Sequence, residues 1–167
     1  MFSQVYDQGI CRTVQLNIPW PEIKKLEEAK RLMPSLEFVI QLSGGAMDGL
    51  NPEEIAKKTK KYDELANYVL IDPSGGKGQE FDLEKSLQIY EKLRLALPAS
   101  IIGFAGGFTG NNVLERTKIL VDRMDHNRFC IDAEGGLRDN ITTDYGDDLL
   151  NFQKVRSYIE QASKVLV

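Results

Sequence analysis

The sequence predicts an α/β protein whose strands form a parallel sheet covered by helices. Two observations carry this. Val, Ile, Leu and Phe crowd five short runs, at residues 13–17, 37–43, 68–72, 100–105 and 128–132. Several runs are apolar at consecutive positions, which is the pattern of strands buried on both faces. The runs also recur at intervals of roughly 25 to 33 residues, the length of a βα unit. Amphipathic stretches fill the gaps, so right-handed crossovers are expected.

Each helix has a readable start. Pro21 suits a first turn, with Ile23, Leu26 and Ala29 on the inner face. Asn51-Pro52-Glu53-Glu54 places a capping side chain, a proline that needs no N–H, and two acids at the positive end of the dipole. Asp82 can cap the next helix, with Leu83, Leu87, Tyr90 and Leu93 on one face. Asn111 or Asn112 opens another, with Val113, Ile119, Leu120 and Met124 as its apolar residues. The last is expected over residues 151–165, with a stripe of Phe152, Val155, Tyr158, Ile159 and Ala162.

Composition narrows the function. The chain has 167 residues, 42% hydrophobic and 28% charged, enough for one core without disulfide staples. A net charge of -4 supplies no global attraction for nucleic acid or an anionic membrane. The clusters Lys24-Lys25, Lys57-Lys58 and Lys60-Lys61 alternate with Glu27, Glu28, Glu53, Glu54 and Glu64, as on solvated helix faces. No apolar run reaches the roughly 18 to 20 residues of a membrane helix, and residues 1–12 lack the pattern of a signal peptide. The cytoplasm is the expected compartment, with Cys11 and Cys130 reduced. His126 sits in a polar stretch, and Asp144, Asp147 and Asp148 lack the glycine and final glutamate of a calcium loop, so no metal site is expected. Trp20, beside two prolines, is expected to pack a loop.

The chemistry-bearing residues cluster after strands. Three strands run into the sequences Asp72-Pro73-Ser74-Gly75-Gly76-Lys77-Gly78, Ala105-Gly106-Gly107-Phe108 and Asp132-Ala133-Glu134-Gly135-Gly136. Ligands of α/β proteins bind at strand C-terminal ends. Glycines there let backbone N–H groups approach a phosphate, and strand-end acids are placed for proton transfer. A single such glycine more often only makes a turn, and a single Asp only caps a helix. Three such loops together point to a binding site. None has the spacing of a P-loop or of a dinucleotide fingerprint.

The order Val69-Leu70-Ile71-Asp72, Gly75-Gly76-Lys77-Gly78-Gln79-Glu80-Phe81-Asp82, Gly103-Phe104-Ala105-Gly106-Gly107-Phe108, Asn112-Val113 and Cys130-Ile131-Asp132 resembles phosphoribosylanthranilate isomerase. Val14-Gln15-Leu16 is similar to another strand of that family. The resemblance implies a (β/α)8 TIM-barrel type of fold, incomplete here. Residues 1–167 form one partial barrel domain of about five βα units, matching strands four to eight, with residues 1–10 as the tail of the third helix. Full barrels start near roughly 200 residues. The chain is therefore expected to be a fragment, a reading frame begun at an internal methionine, or a partial barrel whose open edge a second copy covers.

The resemblance further implies an Amadori aldose–ketose isomerisation in tryptophan synthesis, on a small phosphorylated sugar and without a cofactor. Asp72 matches the family's general acid. Gly75, Gly76, Gly106, Gly107, Asp132, Gly135 and Gly136 match its substrate and phosphate positions. The family's base, a first-strand cysteine, has no counterpart, since neither Cys11 nor Cys130 is at its position; Cys130 reads as core packing. The second-strand arginine for the anthranilate carboxylate is also absent. As given, the chain is not expected to catalyse the full reaction. Glu134 replaces a serine, and a carboxylate near a phosphate repels it; either it points away, or Arg138 compensates, or the ligand differs. Asn17 stands where the family often has His, and Gln41 where it often has Arg. Two other readings remain: a non-catalytic phosphosugar-binding or scaffold protein, and another phosphosugar barrel enzyme such as ribulose-phosphate epimerase, whose chemistry usually uses paired aspartates, a metal and histidines.

Overall fold

The computed structural model describes residues 2–73, 82–124, 128–139 and 149–166. After α1 (Phe2–Asp7), the chain runs β1 (Thr13–Leu16), α2 (Ile23–Leu32), β2 (Glu37–Ser43), α3 (Gly44–Met47), α4 (Pro52–Thr59), β3 (Ala66–Asp72), α5 (Leu83–Ala96), β4 (Ile101–Phe104), α6 (Val113–Arg123) and β5 (Phe129–Ile131). The two-residue strands β6 (Arg138–Asp139) and β7 (Leu149–Leu150) pair antiparallel, and α7 (Phe152–Ala162) follows. All five expected strands are present, with ends shifted by one or two residues.

Strands β1 to β5 form one sheet in chain order, and every neighbouring pair is parallel. Among the described residues the order never reverses, so they contain no switch point of the doubly wound kind. Steady progression in one direction is the winding of a (β/α) barrel. Among the described residues, β1 and β5 each pair on one side only.

The register sorts the side chains into two faces. Ile40 lies beside Val69, Val69 beside Ile102, and Ile71 beside Phe104. These residues meet Ile55, Leu87, Leu93 and Leu120 of the helices in one core. The opposite face carries Gln41, Leu70, Gly103 and Cys130, which the register also aligns.

The helix starts follow local chemistry. Asn51 Oδ1 accepts from the Glu54 N–H at 2.9 Å, and Glu54 Oε2 accepts from the Asn51 N–H at 2.9 Å, closing a capping box on α4. Asp82 Oδ1 accepts from the Lys85 N–H at 3.0 Å. Asn151 Oδ1 accepts from the N–H groups of Gln153 and Lys154 at the start of α7.

Several expectations need correction. Pro21 lies ahead of α2, which Glu22 begins; its carbonyl instead accepts from the Tyr62 hydroxyl at 2.8 Å. Residues 44–47 form a short helix, α3, directly after β2. Asn112 precedes α6, but its side chain does not cap it. Phe152 and Ile159 are 79% and 57% exposed, so the stripe of α7 is only partly buried. Among the described residues the sheet ends at β5, and α7 packs on α6 and the Gly135–Leu137 turn. Cys130 is half-buried on that edge strand. Trp20 does pack at the core margin, with positive φ (52°) and Lys58 Nζ at 4.4 Å over its ring. Among the described residues, no helix is long and apolar enough to cross a membrane.

Candidate functional site

The site is built by ladder register. Ile71, Phe104 and Ile131 lie side by side on β3, β4 and β5. The ladder continues one residue further. The Ala105 N–H donates to the Ile71 carbonyl at 2.8 Å, and the Asp132 N–H donates to the Phe104 carbonyl at 2.9 Å. Asp72, Ala105 and Asp132 therefore form one row at the C-terminal ends of the strands. Side-chain alternation turns the row away from the helix layer. Two strand spacings separate the Cα atoms of Asp72 and Asp132 by about 10 Å, with only a methyl group between.

Asp72 is buried, 4% exposed. Gln41 Nε2 donates to its Oδ2 at 2.8 Å. Gln15 Nε2 in turn donates to Gln41 Oε1 at 3.2 Å, which fixes the orientation of the Gln41 amide. The chain Gln15–Gln41–Asp72 crosses β1, β2 and β3. It orients the carboxylate through a neutral donor and brings no positive charge.

Asp132 is half-buried, and burial raises its carboxyl above the ordinary aspartate range. The charges of Glu134 and then Asp72 push it further up, while the Ala133 N–H partly offsets them. A carboxyl raised on folding holds its proton more tightly folded than unfolded. It therefore favours the fold at low pH and costs stability as pH rises through its folded pKa. Removing one neighbouring charge lowers the midpoint. In a carboxyl-carbon NMR titration, Glu134→Gln shifts the Asp132 midpoint down by more than Asp72→Asn does; an unmoved midpoint in both variants contradicts this electrostatic arrangement.

The loop after β4 is held from behind. Gly106 and Gly107 have φ of 104° and 64°, a region that favours glycine. The Gly107 carbonyl accepts from Asn112 Nδ2 at 2.8 Å and from Arg116 Nη1 at 2.9 Å. The Gly106 carbonyl is 3.4 Å from the same Arg116 nitrogen. Asn112 Oδ1 also accepts from the Thr109 N–H. With the carbonyls held by α6, the N–H groups of Gly106 and Gly107 donate to no group among the described residues. Two adjacent unengaged amides suit an anion.

The 3₁₀ turn Gly135–Leu137 completes the rim. A side chain at Gly135 would meet nothing within 4 Å, whereas one at Gly136 would strike the Phe108 carbonyl and Thr109 Cγ2. Gly136 is thus required by packing. The Glu134 side chain is 72% exposed, with its carboxylate 3.8 Å from the Arg138 guanidinium. Two of the three alternatives raised by the sequence therefore have a counterpart here: Glu134 reaches into solvent, and Arg138 lies beside it. Gln41, Asp72, residues 105–108 and residues 132–136 enclose a cleft of about 50 Å³. A wider groove, about 490 Å³, lies at the opposite end of the strands beside Glu37, Asn67 and Ile101, away from the row.

The cleft brings together Asp72, Gly106, Gly107, Asp132, Gly135 and Gly136. Gly75 and Gly76 lie outside the described residues, as do His126 and the cluster of Asp144, Asp147 and Asp148. Gln15, Gln41, Asn112 and Arg116 were not expected as site residues. A signal exists for Arg116, which follows Asn112 by four positions and so shares its helix face.

No protein-family model and no curated protein matches the sequence. Among solved structures, the chain is similar to the N-(5'-phosphoribosyl)anthranilate isomerase from Pyrococcus furiosus. The TM-score is 0.55 and the identity 17%, over 98% of this chain and 68% of that one. The fold is a (β/α)8-type barrel, left open. At this identity the likeness extends to the fold alone, and the roles of the cleft residues are argued from their own geometry.

Proposed function

We propose that the cleft binds a phosphorylated sugar and that the protein is an isomerase of the phosphoribosylanthranilate isomerase type, interconverting an aldose and a ketose. The observation that carries this reading is the Asp72–Ala105–Asp132 row beside two unengaged loop amides. The amides of Gly106 and Gly107 take the phosphate, with Gly135 on the rim. Asp72, oriented by Gln41, gives a proton to the ring oxygen of the sugar. The fold likeness agrees with this reading at the level of architecture. A non-catalytic phosphosugar binder is the second reading, favoured by the unpaired outer sides of β1 and β5 among the described residues.

The test is calorimetric binding of the reduced, alcohol analogue of the ketose product. Saturable binding is expected, and Gly107→Asp abolishes it. That variant places a carboxylate where the phosphate would sit and forces a side chain into positive φ. No binding at millimolar analogue by folded protein refutes the reading.

A further inference from the structure

We propose that Asp132 is the general base of this site, acting across Ala105 from Asp72, so that the chain supplies both proton-transfer groups itself. This rests on the phosphosugar reading above and deepens it. Opening a sugar ring needs an acid, and moving the carbonyl from C1 to C2 needs a base at C2. A (β/α)-barrel site draws such groups from the C-terminal ends of several strands. Here the ends of β3 and β5 present carboxylates at one level, and β4 between them presents only Ala105. The two carboxylates thus face the same gap from opposite sides.

The other groups around the cleft do not fit the role. Gln41 is an amide, committed to Asp72 and Gln15. Glu134 lies mostly in solvent beside Arg138. Cys130 is two residues deeper than the row, beside Gly103. Burial first, then the charge of Asp132, pushes its thiol up and away from the reactive thiolate. Asp132 is half-buried, and the same surroundings that raise its carboxyl make it a stronger base than a solvated carboxylate.

The protons balance over the cycle. Asp72 gives its proton to the ring oxygen, the C1–O bond breaks, and the amine nitrogen lone pair forms a C1=N iminium. Asp132 then removes the C2 proton; the C–H electrons form C1=C2, and the C=N electrons return to nitrogen. As the enolamine collapses, the C2 hydroxyl returns a proton to Asp72 and becomes the ketone. Asp132 delivers its proton to C1. Both carboxyls end as they began, and no oxidant, reductant or metal enters the balance.

The experiment measures conversion of N-(5'-phosphoribosyl)anthranilate to its ketose, together with affinity for the reduced product analogue. The proteins compared are the chain itself and the variants Asp132→Asn, Asp132→Glu and Cys130→Ser. The expected result is conversion by the wild-type chain and a loss of about 100-fold or more in Asp132→Asn. Analogue affinity in that variant stays within about threefold of wild type, as expected for a group that acts on the transition state. Asp132→Glu retains more conversion than Asp132→Asn, and Cys130→Ser converts like wild type. Wild-type rates in Asp132→Asn, loss of conversion in Cys130→Ser, or loss of analogue binding in Asp132→Asn overturns the assignment and leaves the phosphosugar reading standing. So does analogue binding by a wild-type chain that converts nothing. Failure of the folded wild-type chain to bind the analogue removes the phosphosugar reading, and the base assignment falls with it.

Discussion

Replacing Asp72 with asparagine is expected to lower isomerase turnover by about 10² to 10⁴-fold, the range for loss of a positioned proton donor. The substitution replaces an ionisable oxygen with an amide nitrogen. The asparagine carbonyl can accept from Gln41 Nε2 as Asp72 Oδ2 does, so the Gln15–Gln41 chain still orients the side chain. The position is buried, and the two side chains have nearly the same shape. Affinity for the reduced product analogue therefore stays within about threefold, since a transition-state interaction has been removed and not a uniform binding one. Steady-state turnover and calorimetry on the same sample check both halves. Full turnover in Asp72→Asn removes this residue from the mechanism. On the proposed cycle, which uses Asp72 and Asp132 together, the double variant should lose little beyond the worse single variant.

The second large effect is on stability. Phe104 is fully buried in β4, between β3 and β5, with Tyr90 of α5 and Phe129 of β5 against it. Its ring centroid is 5.6 Å from that of Tyr90 and 6.3 Å, edge-on, from that of Phe129. Truncation to alanine leaves a cavity that strands held on both sides cannot collapse, at a cost of about 3 to 5 kcal/mol. For a domain with about 5 to 15 kcal/mol in total, this is a large share. The melting temperature should fall on the order of 10 °C. Leu95 supplies the control. It is 81% exposed on α5, and its truncation should change stability by less than about 0.5 kcal/mol. A Phe104→Ala loss no larger than the Leu95→Ala one contradicts the packing described for the sheet.

Much of the fold was legible because its signals are local. Consecutive apolar residues in 37–43 and 68–72 announce strands covered on both sides, and β2 and β3 lie there. The Asn51-Pro52-Glu53-Glu54 start needs only side chains within one turn, and the capping box forms as expected. Asp82 and Asn151 cap their helices for the same reason. The strand-end loops were also visible, since glycines and acids directly follow apolar runs.

The site's internal wiring was not legible. The bond from Gln41 to Asp72 joins residues 31 apart, and it depends on the register that sets Ser43 beside Asp72. Asn112 reads as a helix cap, yet its amide bonds Gly107 and Thr109, because the loop folds back over the start of α6. The α7 stripe reads as a continuous buried face, but periodicity does not say where a sheet stops, and Phe152 lies in solvent.

The sequence by itself determined the alternation of strands and helices, most helix starts, and the placing of Asp72, Ala105 and Asp132 at strand C-terminal ends. Those features are set by contacts within a few residues, where propensity, capping and the strand period of two suffice. The tertiary structure alone decided that Asp72 and Asp132 stand level across one alanine, that Gln41 orients one of them, and that Glu134 turns outward to Arg138. Each of these depends on ladder register or on a turn's path through space. A one-residue slip would send the same side chains to the opposite face, so neighbouring residues cannot specify them.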